Sequence, residues 1–359
     1  MKVINLALLL LFISCKNQAQ NYVCTPCDLS CDTLIFESSG KCSQCSMQLI
    51  KESEAKRETL VVNEVNISEG SGKFLIEGGK GKKTKAIIVY YYKPKNFDSN
   101  SKVLVVIPGA GRNANTYRDA WVAEADKKGI LILSPKYAEE DYAFEDYHLC
   151  GLIRELNLGK SLEFVENSNM VKIDEDQLTF TLNTKEEEWI FEDFDRIFDL
   201  AIEAIGSNQK EYDIFGHSAG GQILHRYALF GKSAKVNNIL AANSGFYTLP
   251  NFEFALPFGL KNTLLEEQNL QDAFDKKLII LVGELDNQAE TRGTLLRSST
   301  ADKQGLHRLA RAQYFYDQAK SVARSKQFSF NWKIAIIPQV GHDHRKMAVA
   351  ASQLLYSEH

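Results

Sequence analysis

The pentapeptide Gly216-His217-Ser218-Ala219-Gly220 constrains this chain more than any other stretch of its 359 residues. It follows a short β-type run at 212–215 and precedes a helical pattern that starts near Gly221. A serine held on a sharp strand-to-helix turn projects its Oγ above the sheet, and the strained backbone needs small residues on both flanks. The following helix aims its N-terminal N–H groups at an oxygen under attack. Alone, the string is weak, because Gly, Ser and Ala are common. Its meaning depends on what stands downstream.

Two later strands deliver an acid and a base. Lys277-Leu278-Ile279-Ile280-Leu281-Val282 reads as a buried parallel strand and runs into Gly283-Glu284-Leu285-Asp286-Asn287. A further strand at 332–337 ends in Pro338-Gln339-Val340-Gly341-His342-Asp343. Serine, acid and histidine in that chain order match one layout of a Ser-His-Asp triad. The expected roles are Ser218 as nucleophile, His342 as general base and then acid, and Asp286 as the carboxylate that fixes the imidazole tautomer. Glu284 and Asp343 are the rival acids. Asp286 is preferred because it sits just past a strand end, where a loop can turn inward. Of the seven histidines, His217 fills the variable position of the turn, and His225 and His307 lie in helical patterns. His342 follows a strand in a Gly-His turn, with His344 the runner-up.

Acyl transfer also needs an oxyanion hole of two backbone N–H groups, one after the nucleophile and one after an earlier strand. Ala219 is the first expected donor. The second is expected from Pro108-Gly109-Ala110-Gly111-Arg112-Asn113, which follows the apolar strand at 103–107. Ala110 is the choice there, since small residues let the backbone approach a substrate closely. Arg112 and Asn113 either touch substrate or cap the next helix.

Together, Pro108-Gly109-Ala110-Gly111-Arg112-Asn113, Gly216-His217-Ser218-Ala219-Gly220-Gly221, Gly283-Glu284-Leu285-Asp286 and Gly341-His342 resemble the α/β-hydrolases of the polyhydroxybutyrate-depolymerase-like and feruloyl-esterase-like secreted group. The likeness covers residues 70–357. It implies a serine esterase acting on small or polymeric carboxylic esters, with no cofactor for catalysis. Such proteins usually have His-Gly where this chain has Pro108-Gly109, so a side chain that normally braces the oxyanion loop is missing. The remaining pattern fits a doubly wound, mostly parallel sheet with helices on both faces. Strands are expected at 73–77, 85–92, 103–107, 130–134, 212–215, 238–242, 278–282 and 333–337, and helices at 116–127, 189–205, 222–230 and 309–323. A lysine cluster at 73–85 reads as a solvated hairpin tip. Two stretches, 137–185 and 244–274, read as long loops over the strand ends. Two or three of their aromatics are expected to touch substrate, Phe246 and Tyr247 first.

The N-terminus carries a different message. Met1-Lys2 precedes an apolar run at 3–13, too short to span a bilayer and suited to a signal-peptide core. Ile13-Ser14-Cys15 resembles a bacterial lipobox, which implies lipidation of Cys15 and a membrane anchor at the cell envelope, with plain secretion the alternative. Five cysteines follow within 22 residues: Cys24, Cys27, Cys31, Cys42 and Cys45. Two C-x₂-C knuckles match the spacing of a zinc ribbon, with Cys24, Cys27, Cys42 and Cys45 as ligands and Cys31 unassigned. The stretch also resembles small heavy-metal-binding modules of bacterial envelope proteins, with Tyr22 and Met47 in matching places. Disulfides are the rival in an exported protein. Cys150, alone in the larger segment, reads as a core thiol. The expected organisation is a signal peptide at 1–14, a cysteine module at 15–50, a linker at 51–69 and the hydrolase domain at 70–359. A net charge of −4 with no basic stripe argues against nucleic acid as a partner. Two other functions stay open: a metal-carrying lipoprotein that uses the fold as a scaffold, and a peptidase of the same fold.

Overall fold

Apolar runs alternating with amphipathic stretches are best buried as a parallel sheet flanked by helices. In the computed structural model, which describes residues 20–24, 31, 34–52, 61–159 and 161–357, all eight expected runs join one sheet. They are β1 (Gly70–Glu77), β2 (Ala86–Lys93), β3 (Val103–Ile107), β4 (Leu131–Lys136), β5 (Tyr212–His217), β6 (Val236–Ala242), β7 (Lys277–Gly283) and β8 (Lys333–Ile337). Their order across the sheet is β8-β7-β6-β5-β3-β4-β2-β1. β2 pairs antiparallel with β1 and β4, and every other pairing is parallel. Each residue of β3 and β5 is buried, as expected of central strands covered on both faces, and β3 is apolar throughout. β4 lies on one side of β3 and β5 on the other, so the direction of winding reverses between β3 and β5. That reversal opens a crevice at the carboxyl ends of the two strands.

The helix Phe191–Ile205 buries Phe194, Ile197, Phe198 and Ala201 and stops at Gly206 in the left-handed region. The helix expected at 116–127 is broken into Ala114–Asp119 and Val122–Lys128. An unanticipated helix, His344–Tyr356, starts where Asp343 accepts from the backbone N–H groups of Arg345 and Lys346.

Three expectations need correction. The stretch at 137–185 is no open loop: it holds the helix Phe144–His148 and four short strands. Ile153–Asn157 pairs with Thr179–Leu182, and Met170–Ile173 lies between Leu162–Phe164 and Leu295–Arg297. The lysine-rich hairpin is not a free tip, because Lys82 pairs with Asp146 at 2.6 Å and Lys85 donates to the carbonyl of Asp141. Part of the expected linker joins the sheet edge, where Val62 bridges Leu75 and Glu77 donates its backbone N–H to Asn63 Oδ1.

The chain divides into two compact units, Met1–Thr59 and Leu60–His359. In the smaller one, Tyr22–Cys24 pairs antiparallel with Ile35–Phe36 and with Leu49–Lys51. Cys24, Cys31, Cys42 and Cys45 bring their sulfurs within 4.8 Å of one another. The sulfurs of Cys24 and Cys45 are 3.1 Å apart, and Gln44 donates its backbone N–H to Cys42 Sγ at 3.4 Å. Hydrogen bonding, first with Cys24, pulls the Cys45 thiol down to about 6. Among the described residues, only Leu49 and the half-buried Tyr22 and Phe36 pack around these sulfurs, a core small enough to need a staple. Cys31 thus sits among three of the four expected ligands. Cys27, Cys15 and the apolar run at 3–13 lie outside the described residues. Among those described, no helix is long and apolar enough to cross a membrane.

Candidate active site

Ser218 caps the helix Ala219–Phe230 with φ 59° and ψ −115°, a backbone strained for any side chain. Its surroundings leave the turn no slack. A Cβ on Gly216 would collide with the carbonyl of Gly220, one on Gly220 with that of Ile107, and one on Gly221 with that of Ala242. The glycines therefore exist for close backbone approach, and they press the turn against β3 and β6. The backbone N–H of Ser218 donates to the Ala242 carbonyl at 2.9 Å, which ties the turn to β6.

The acid and base approach from the same end of the sheet. Asp286, three residues past β7, accepts at Oδ2 from His342 Nδ1 at 2.8 Å and is 1% exposed. With Nδ1 donating to a carboxylate, Nε2 is left as the acceptor. Burial holds the His342 imidazole below its ordinary value, and the Asp286 hydrogen bond opposes that shift. Burial thus favours the neutral ring, the form able to take a proton. Both rivals are engaged elsewhere: Glu284 Oε2 accepts from the Gln339 backbone, and Asp343 caps the C-terminal helix. His344 stacks on Tyr117 with ring centroids 4.5 Å apart.

Several residues that build this geometry carried no sequence signal. Arg308, 2% exposed, donates to Asp286 Oδ1 at 3.0 Å and to the carbonyls of Gly293 and Thr294 at 2.9 and 2.8 Å. It joins the acid to the loop that leads into Leu295–Arg297. Asn243 donates to the Gly341 carbonyl at 2.9 Å and accepts from the Gly283 N–H at 3.0 Å, binding the acid-bearing and base-bearing loops together. Glu290 accepts the His342 backbone N–H at 2.6 Å. Its carboxyl is held down at about 2, first by Arg292. His217 gives Nδ1 to a hydrogen bond with the Tyr117 hydroxyl at 3.1 Å and lies 4.6 Å from the His342 ring. Burial, then the neighbouring His342 and His344, keep His217 well below its ordinary value.

Ser218, His342, Ala110 and Ala219 all line one cavity of about 580 Å³. Ala219 opens a helix whose dipole points at this space. The loop expected to supply an oxyanion donor has its own brace: the Tyr147 hydroxyl donates to the Pro108 carbonyl at 2.6 Å. Tyr147 thus supports a loop in which Pro108 stands where a histidine is usual. Asn113 lines the cavity. Arg112 turns away, donating to the carbonyls of Tyr137 and Tyr142 at 3.0 and 2.6 Å, so it neither caps a helix nor faces the site.

Of the two aromatics expected at the substrate, Phe246 lines the cavity and Tyr247 does not. Tyr247 is fully buried and stacks on Phe315 at 4.4 Å, because its backbone is locked on both sides by the Gln304 side chain. From the two long stretches, Phe144, Phe164, Phe180, Phe246 and Phe258 line the space. Cys150 is a core thiol, pushed up to about 12 by burial.

No protein-family model and no curated protein sequence matches the chain. Solved structures do. Poly(aspartic acid) hydrolase-1 from Sphingomonas sp. KT-1 is 31% identical and superposes with a TM-score of 0.68, the match covering 81% of this chain and 100% of that one. The poly(3-hydroxybutyrate) depolymerase from Bordetella parapertussis is 26% identical with a TM-score of 0.66, over 80% of this chain and 90% of its own.

Proposed function

The chain belongs to the α/β-hydrolases, and from that premise we propose that it is a serine hydrolase of carboxylic esters that works through an acyl-enzyme. The observation that carries this reading is the 2.8 Å contact between His342 Nδ1 and Asp286 Oδ2, on a ring that lines the same cavity as Ser218. Ser218 Oγ attacks the ester carbonyl carbon while His342 Nε2 takes the hydroxyl proton. Asp286 stabilises the resulting imidazolium, and the N–H groups of Ala219 and Ala110 receive the oxyanion. The tetrahedral intermediate collapses with the His342 proton passing to the leaving alkoxide. Water, deprotonated by the same ring, then releases the acid.

The test is covalent labelling. A fluorophosphonate should modify one residue, Ser218, and the labelled chain should no longer hydrolyse p-nitrophenyl esters. A chain inert to both reagents would instead favour a scaffold without activity. The 31% identical relative is named for a polymer joined by amides, so the matching anilide is assayed alongside; faster anilide than ester turnover would replace esterase by amidase.

For the smaller unit we infer a structural zinc site. A tetrahedral thiolate site with Zn–S bonds near 2.3 Å has sulfurs about 3.8 Å apart, and the sulfurs here span 3.1 to 4.8 Å. Cys24, Cys31, Cys42 and Cys45 would hold the ion, which would supply folding energy and take no part in ester cleavage. The purified chain should carry about one zinc, and replacing Cys42 and Cys45 by Ser should remove it while labelling at Ser218 persists. Four sulfurs blocked as disulfides in freshly purified protein would overturn the site. The apolar run at 3–13 and Cys15 support attachment of the enzyme to a membrane of the cell envelope through a lipid.

A further inference from the structure

The short strands between residues 153 and 182 have no role in the chemistry, yet they supply much of the cavity wall. Leu162 and Phe164, Val171 and Ile173, and Leu178 and Phe180 all line it. The residues between them point away: Glu163 and Lys172 are 70% and 57% exposed and pair with each other at 3.5 Å on the outside. This is the period-2 alternation of a strand with one face in water and the other in an apolar environment. Here the apolar face is turned to the cavity that also contains Ser218.

Charge sharpens the reading. Among the described residues lining the cavity, only Arg292 carries a permanent charge. Its guanidinium is already held by Glu290 at 2.7 and 2.9 Å and by Asp343 at 3.4 Å. The histidines offer no replacement cation. His148 is held down at about 3, by burial first and then by Arg112 and Arg226, and burial lowers His217, His342 and His344 as well. An anionic substrate would have to lose its water here and compete with Glu290 and Asp343 for the single guanidinium among the described lining residues, which is costly. An uncharged apolar group gains from the same surface. The volume, about 580 Å³, lies within the range that encloses most of a drug-sized ligand.

We propose that the ester bound here carries a long uncharged apolar chain, about the length of a medium-chain fatty acyl group, lying against the Leu162, Val171 and Phe180 face of these strands. The inference rests on the serine-hydrolase reading and names its substrate class. Two series test it: p-nitrophenyl esters from acetate to dodecanoate, and acetates of alcohols of increasing length. In at least one series kcat/KM should rise by up to about fourfold per methylene, so that the eight-carbon member exceeds the two-carbon one by at least about tenfold. Phe180→Asp should flatten the rise with chain length, because it sets a carboxylate into the wall the chain lies on. Phe164→Asp, at a position 75% exposed and so tolerant of the change, should blunt it too. A flat response in both series, or a preference for an anionic ester such as p-nitrophenyl hemisuccinate, overturns the proposal whenever Ser218 still takes the fluorophosphonate. A chain that takes no label overturns the serine-hydrolase reading itself, and this inference with it.

Discussion

Replacing Ser218 by Ala should lower kcat for ester hydrolysis by about 10⁴- to 10⁶-fold, since triad members act as a unit and what remains comes from the oxyanion donors and binding. The change removes one oxygen and leaves the backbone at φ 59° as it was. Alanine fits between Gly216 and Gly220 as serine does. Stability should therefore stay within about 0.5 kcal/mol of the parent, the range of substitutions that touch no packing feature. Steady-state kinetics on p-nitrophenyl octanoate, with thermal melting of the same samples, reads both quantities. Activity within tenfold of the parent in a chain that melts normally would remove Ser218 from the mechanism.

Asp286→Asn should be nearly as damaging, with kcat down by about 10⁴-fold, because the amide presents the wrong partner to Nδ1 and stabilises the unproductive tautomer. It should also cost stability, for a reason outside the chemistry. Arg308 is buried against Asp286 at 3.0 Å, and removing one partner of a buried pair costs about 3–5 kcal/mol through the charge left behind. The two effects separate in the double variant. Asp286→Asn with Arg308→Met should recover part of the lost melting temperature, since the carbonyls of Gly293 and Thr294 lose their donor, and none of the lost kcat. Recovery of activity in the double variant would show that Asp286 serves the fold and not the imidazole. A neutral His342, held below its ordinary value by burial, also sets the parent's pH profile. The acid limb of kcat/KM should fall below the usual imidazole value near 6.5, because the proton that silences the base binds only at lower pH.

The strands and the serine turn were legible because their signals are local. β3 and the body of β7 are continuous apolar runs, and the turn at 216–221 is a string of residues whose smallness is dictated by contacts it makes itself. Asp286 and His342 could be read because each follows such a run by a few residues. The strands at 153–182 were missed for the same reason in reverse. Runs of three to five residues, such as Leu162-Glu163-Phe164, carry too few turns of the period-2 pattern to stand out from a polar loop. Their apolar face has no meaning until it is set over a cavity.

Serine, acid and base, the order in which they follow the strands, and the sheet that carries them are properties of short windows of sequence. What aligns them is not. Arg308 lies 22 residues from Asp286, Tyr147 lies 39 from Pro108, and Asn243 lies 98 from Gly341. The same holds for the cysteines: spacing singled out two knuckles, but Cys31 joins Cys24, Cys42 and Cys45 because the chain folds back on itself. A buried arginine, asparagine or lone cysteine is chemically indifferent in sequence, since any of them could face water. Only the packed structure takes that water away and leaves each polar group to find its partners within the protein.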